Sequence, residues 1–175
     1  GSAPNLSITD NVIMKSYRRP PILKRGLLDM KAATKLANEL KLAYDIIVPN
    51  VSTPVRLLSG GNLQRVILAR EISGLPSFMV AVQPTRGLDV GAIEGVHRLL
   101  LTQREAGAAV LLISEELEEL LSLCDRVYVI YEGKIMGEIK LGVDEPDEGL
   151  IDTIGQMMTG TPLEQIQKEG VSAHG

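Results

Sequence analysis

The sequence predicts an α/β chain: a helical portion, then a lobe with a parallel sheet that ends in a β-hairpin. Three observations carry this. "FMVAV" (78–82) is a short unbroken apolar run bounded by prolines, the form of a buried parallel strand. A helical stretch from about Asp89 to Glu105 and a second apolar run, "AAVLLI" (108–113), follow it, giving the strand–helix–strand alternation of a parallel unit. Finally, Arg126–Tyr131 and Ile135–Lys140 flank the turn Glu132-Gly133-Lys134, which signals a hairpin.

Taken in order, residues 5–28 hold a short helical pattern and then the turn-prone "SYRRPPILKRG" (16–26). Asp29 is a plausible N-cap, and Ala33, Leu36, Ala37, Leu40 and Tyr44 recur at amphipathic helical spacing. Pro49 and Pro54 end that region. A second helix follows Ser59, with Leu63, Val66, Ile67 and Ile72 on one face, and Gly74 and Pro76 close it. Beyond the first sheet strands, Glu115–Leu123 reads as a short helix with an acidic first turn. The tail reads as one helix from about Glu148 to Thr159, fraying after Pro162.

Composition bounds the function. In 175 residues, 45% apolar, there is enough material for a real core. Acidic residues exceed basic ones by 22 to 18, for a net charge of -4 with 3% aromatics, so neither the charge nor the stacking surface of a nucleic-acid binder is present. A single cysteine, Cys124, excludes an internal disulfide and a Cys-based zinc site, and reads as a small buried apolar residue. No apolar run approaches the ~20 residues of a bilayer span. No signal-peptide pattern is found, and Gly1-Ser2 has the look of a cloning remnant.

"LLSGGNLQR" (57–65) places Gly60 and Gly61, poor helix formers, where a helix should start. Ser59 is a good N-cap, and two glycines leave the first-turn N–H groups unshielded, so an anion can approach the backbone. On these residues alone, a plain Ser-capped helix after a Gly-rich turn is the better explanation.

The wider context favours the anion. "LSGGNLQRVILARE" resembles the signature motif of ATP-binding cassette (ABC) ATPases. "QPTRGLDVGA" (83–92) resembles their segment joining the Walker B strand to the D-loop, and "VLLISEELEELLSLCDRVYVIYEGKIMGE" stands where the switch region and final hairpin would be. The likeness covers roughly residues 5–160. "SGGN", "TRGLDVGA" and "ISEEL" look most like the second cassette of the fused ATPase subunits of simple-sugar and nucleoside importers, and "YRRPP…RGLLD" with "IGQMMTG" favours the nucleoside branch.

The resemblance implies the C-terminal part of a P-loop NTPase-like ABC cassette. Residues 1–4 would be remnant and linker, 5–75 a helical subdomain with the signature, 76–160 the α/β lobe, and 161–175 a flexible tail. Because ABC cassettes pair head to tail, it implies that Ser59, Gly60 and Gly61 touch the γ-phosphate of ATP held by a partner cassette, with Asn62 and Gln64 nearby. Leu88 and Asp89 would form the D-loop across the same interface. It further implies ATP and Mg²⁺ in the full assembly, transmembrane permease subunits and an extracytoplasmic solute-binding protein as partners, and a place at the cytoplasmic face of the membrane.

This sequence also departs from the family pattern. A Walker A loop, G-x-x-x-x-G-K-[ST], is absent: the only Gly-Lys pair, Gly133-Lys134, has Tyr128 in place of the first glycine and Ile135 in place of the hydroxyl. The Walker B acid and the water-orienting glutamate are Val82 and Gln83, and the switch position carries Glu115. Valine ligates no metal and glutamine accepts no proton as a carboxylate does. The chain's own site is therefore expected to be degenerate, and the chain alone to bind no ATP or metal. The competing readings are a soluble ABC-type ATPase and a non-catalytic regulatory module. His97 and His174 lack ligand partners at metal spacing, Glu115, Glu116, Glu118 and Glu119 read as a solvated helix face, and Met157 and Met158 read as tail-helix packing.

Overall fold

The computed structural model describes residues 1–142 and 148–172, and the chain forms two compact units, residues 1–113 and 114–175. In the first unit, Ser7 starts α1 (Ile8–Ile13) through a reciprocal capping box with Asp10. From the end of the turn-prone stretch onward runs a miniature hairpin, β1 (Leu23–Lys24) and β2 (Leu27–Leu28), turning at Arg25 and Gly26 with φ of 52° and 81°. Two-residue strands are too short to show alternation, so only the turn was legible.

Asp29 caps α2 (Met30–Ala43), accepting from the Lys31 and Ala32 amides at 3.1 and 3.0 Å. The helix buries Ala33, Ala37 and Leu40. A 3₁₀ turn at Val55–Leu57 leads to α3 (Gly60–Ile72), which buries Val66, Leu68, Ala69 and Ile72. Ile8, Val12, Ala37, Leu40, Ile46, Val51, Val55, Val66 and Ala69 make one core, so α1, α2 and α3 share an apolar centre.

β3 (Phe78–Val82) and β4 (Ala109–Ile113) run parallel, joined through α4 (Val90–Glu105), in register from Phe78↔Ala109 to Val82↔Ile113. The expectation of a strand buried on both faces needs correcting. Met79 and Ala81 are buried, but Phe78, Val80 and Val82 are 58%, 50% and 59% exposed, as are Leu111 and Ile113 at 48% each. Among the described residues the sheet has two strands, and cover on one side leaves the alternate side chains bare.

The first compact unit runs through residue 113 and so holds β3, α4 and β4 together with the helices before them.

The second unit contains α5 (Leu117–Leu123), the antiparallel hairpin of β5 (Arg126–Tyr131) and β6 (Lys134–Lys140), α6 (Glu148–Met158) and α7 (Leu163–Ser172). The hairpin turns at Glu132 and Gly133, both with positive φ (45° and 76°), as a two-residue type I′ turn requires. Its core is Val127, Val129, Ile139, Ile154 and Met157, with Cys124, Leu163 and Ile166 packed against it. After Pro162 the chain forms α7, whose Leu163 and Ile166 pack on this core. Met157 is fully buried, whereas Met158 is half exposed. His174 lies outside the described residues. Among the described residues no helix is long and apolar enough to cross a membrane.

Candidate functional site

The signature-like segment is the N-terminus of α3. Ser59 is extended (φ -62°, ψ 158°), and the first intrahelical bond runs from the Leu63 N–H to the Ser59 carbonyl at 2.9 Å. The N–H groups of Gly60 and Gly61 precede that bond, so helix geometry supplies them no partner. Ser59 and Gly60 are exposed, and Gly61, Asn62 and Gln64 are half-buried. The positive end of the α3 dipole thus carries two amides without side chains, one on exposed Gly60 and one on half-buried Gly61, an arrangement suited to a phosphate.

Gly61 has a second reason to be glycine. A Cβ placed on it would stand 2.6 Å from the Cβ of Ala92 on α4, and one on Gly60 would meet Leu88 Cδ2 at 3.2 Å. Gly95 is similarly crowded: a Cβ there would lie 2.7 Å from Nη2 of Arg65. The two helices approach at backbone distance, which places the D-loop-like residues directly beside the signature-like ones. Asp89 caps α4, accepting from the Ala92 N–H at 2.9 Å.

Asn62 and Arg65 are both committed inside the chain. Asn62 Oδ1 accepts the Ile47 N–H at 2.8 Å, and Asn62 Nδ2 donates to Ser59 Oγ at 3.1 Å. Arg65 Nη1 donates to the Asp45 carbonyl oxygen at 2.5 Å and to Asp45 Oδ2 at 3.1 Å. Asp45, with φ of 51°, and Ile47 were not singled out from sequence, because no local pattern links them to residues 62 and 65.

Val82 and Gln83 end β3. Gln83 is left-handed (φ 47°), its N–H donates to the Ile113 carbonyl at 2.8 Å, and its carbonyl accepts from Arg86 N–H at 3.3 Å. A left-handed non-glycine residue is uncommon and marks local strain. Buried Thr85 accepts the Leu88 N–H at 3.1 Å, closing the turn toward Asp89. Val82, where the family resemblance expects a Mg²⁺ ligand, is an apolar side chain paired across the ladder with apolar Ile113. These residues do not fit a metal: neither offers a carboxylate, and the neighbouring amide of Gln83 is a weak neutral donor atom for Mg²⁺. Glu115 is exposed and lies in the other compact unit, ahead of the start of α5. Among the described residues no group of three or more His, Cys, Asp or Glu side chains could hold a metal.

No family model matches the chain. Among curated proteins it is 42% identical over 175 residues to the guanosine import ATP-binding protein NupO of Bacillus subtilis, matching 100% of this chain and 32% of that protein. It is 38% identical over 160 residues to the nucleoside import ATP-binding protein NupA of Lactococcus lactis, covering 91% of this chain and 31% of that protein. The chain thus spans about a third of the length of these relatives. Among solved structures it superimposes on a dimeric, post-hydrolysis ATP-binding cassette bound to ADP and Pi, with a TM-score of 0.65, 25% identity and coverage of 81% of this chain and 60% of that one. A dimeric bacterial ABC transporter cassette matches equally, at TM-score 0.65 with the same coverage. The chain is therefore related in sequence to sugar and nucleoside import ATP-binding proteins, and its α/β fold is that of the C-terminal part of an ABC ATPase cassette.

Proposed function

We propose that this chain is part of the ATP-binding subunit of an ABC importer for nucleosides or simple sugars, and that it corresponds to the signature-bearing part of the second cassette in a fused subunit. One observation carries the reading: exposed Ser59 caps α3 and the Gly60 and Gly61 amides that follow have no intrahelical partner, in a chain related to import ATP-binding proteins. Through them the chain supplies donors to the terminal phosphate of ATP held by a partner cassette, with Gln64 close by and Leu88 and Asp89 at the same interface. Its own site is degenerate at Val82, Gln83 and Glu115, so hydrolysis belongs to the partner's site. ATP and Mg²⁺ act in the full assembly. Permease subunits and an extracytoplasmic solute-binding protein complete it at the cytoplasmic face of the membrane.

The bare sheet face of Phe78, Val80, Val82, Leu111 and Ile113 supports this reading. A two-stranded parallel sheet is marginal in water, and the 60% coverage of the solved cassette leaves about two fifths of such a fold to cover it. The test is Ser59→Arg in the full-length protein. It should lower ATP turnover by ~10²- to 10³-fold, the usual cost of losing a preorganised donor, while binding of a nucleotide analogue is retained. Wild-type turnover in Ser59→Arg would sink the proposal.

A further inference from the structure

We infer that Asn62 is a positioning residue: it turns the Ser59 hydroxyl outward as a donor and ties it to the Asp45–Ile47 loop. The inference rests on the reading of Ser59 as a phosphate contact. A serine hydroxyl has two acceptor lone pairs and one O–H donor. In Ser59 both acceptor positions are used by one residue, since Oγ accepts the Asn62 backbone N–H at 3.4 Å and Asn62 Nδ2 at 3.1 Å. What remains is the O–H hydrogen, on an exposed side chain. An oxygen that accepts twice is a polarised donor, so the arrangement readies the hydroxyl for an anion.

The amide of Asn62 cannot rotate freely, because its oxygen holds the Ile47 N–H at 2.8 Å. Flipping it would set the Nδ2 donor against the Ile47 N–H and turn Oδ1 toward Ser59, so the loop bond would be lost and the Ser59 O–H would be drawn inward as a donor to Asn62. One turn further along α3, Arg65 grips the same loop through the Asp45 carbonyl and carboxylate. The guanidinium of Arg65 also lies over Gly95, where a Cβ would meet it at 2.7 Å. A displacement of the Asp45–Ile47 loop is thereby passed to Ser59 through two hydrogen bonds. Ile47 itself is 72% exposed, so the loop is open to outside contact. Asn62 accordingly acts on the nucleotide through Ser59 and not as a ligand in its own right.

The test uses the full-length protein with Ser59→Ala, Asn62→Ala and the double variant. Asn62→Ala should lower kcat by roughly 10- to 10²-fold with KM for ATP within about two-fold, as misplacement of a reacting contact does. In the Ser59→Ala background, Asn62→Ala should cost nothing further, because the group it positions is already gone. Amide exchange of the 45–48 segment should rise in Asn62→Ala and stay unchanged in Ser59→Ala. Additive losses in the double variant would show direct contact by Asn62 and overturn the inference, as would unaltered exchange at 45–48. If Ser59→Ala alone kept full turnover, the signature-site reading itself would fail, and the inference with it.

Discussion

Gly61 and Ala92 stand so close that a single methyl group on the glycine would lie 2.6 Å from the alanine Cβ. The glycine is thus required by the packing of α3 on α4, whatever approaches its amide. Gly61→Ala should destabilise the chain by about 1–3 kcal/mol, the range for overpacking a close contact. That corresponds to a fall in Tm of roughly 2–4 °C per kcal/mol. Ala92→Gly in the same chain should recover part of the loss despite its own helix-propensity cost of ~1 kcal/mol. Thermal unfolding by circular dichroism reads both, and equal Tm for Gly61→Ala and the parent would mean that the helices separate.

Gln83, which the proposed reading sets in place of a water-orienting glutamate, has its backbone held left-handed between Ile113 and Arg86. If this half's site performs no hydrolysis, Gln83→Ala in the full-length protein changes turnover little. Removal of a working general base would instead cost ~10²-fold or more. Steady-state ATPase measurements decide between the two.

Mg-ATP should give no resolvable heat on titration into the isolated chain at micromolar concentrations. The basis is the absence of a Walker A loop from the sequence and the apolar Val82–Ile113 strand end. Micromolar binding would require a nucleotide site built from other residues of this chain.

Glu71 ties α3 to the segment after α1, bonding to Arg70 at 2.9 Å and to Lys15. Burial pushes its pKa up, but hydrogen bonds and charge from Lys15 and Arg70 outweigh that and leave it below the usual glutamate value. A depressed folded-state pKa means that the stabilisation is present above the unfolded pKa and is lost as pH falls through the folded one. Glu71→Gln should therefore cost roughly 1–3 kcal/mol at neutral pH, since it leaves nearly buried Arg70 without its carboxylate. The Tm difference between variant and parent should shrink on acidification below the glutamate range. A difference that held constant with pH would show that the ion pair contributes nothing.

The sequence by itself determined where elements begin and turn. Ser59, Asp29 and Asp89 each cap a helix by accepting an N–H two or three residues ahead, and Glu132-Gly133 makes its turn through its own backbone. Such signals act within a few residues and need no fold to operate. The tertiary structure alone decided the rest. Asn62 meets Ile47 from fifteen residues away, and Gly61 meets Ala92 across two helices, so neither partner is encoded in local pattern. The same holds for "FMVAV": its apolar run specifies a strand, but whether Phe78, Val80 and Val82 are covered depends on which elements lie against that face. Hydrophobic pattern records what a side chain can bury, and only the packed chain settles what is there to bury it.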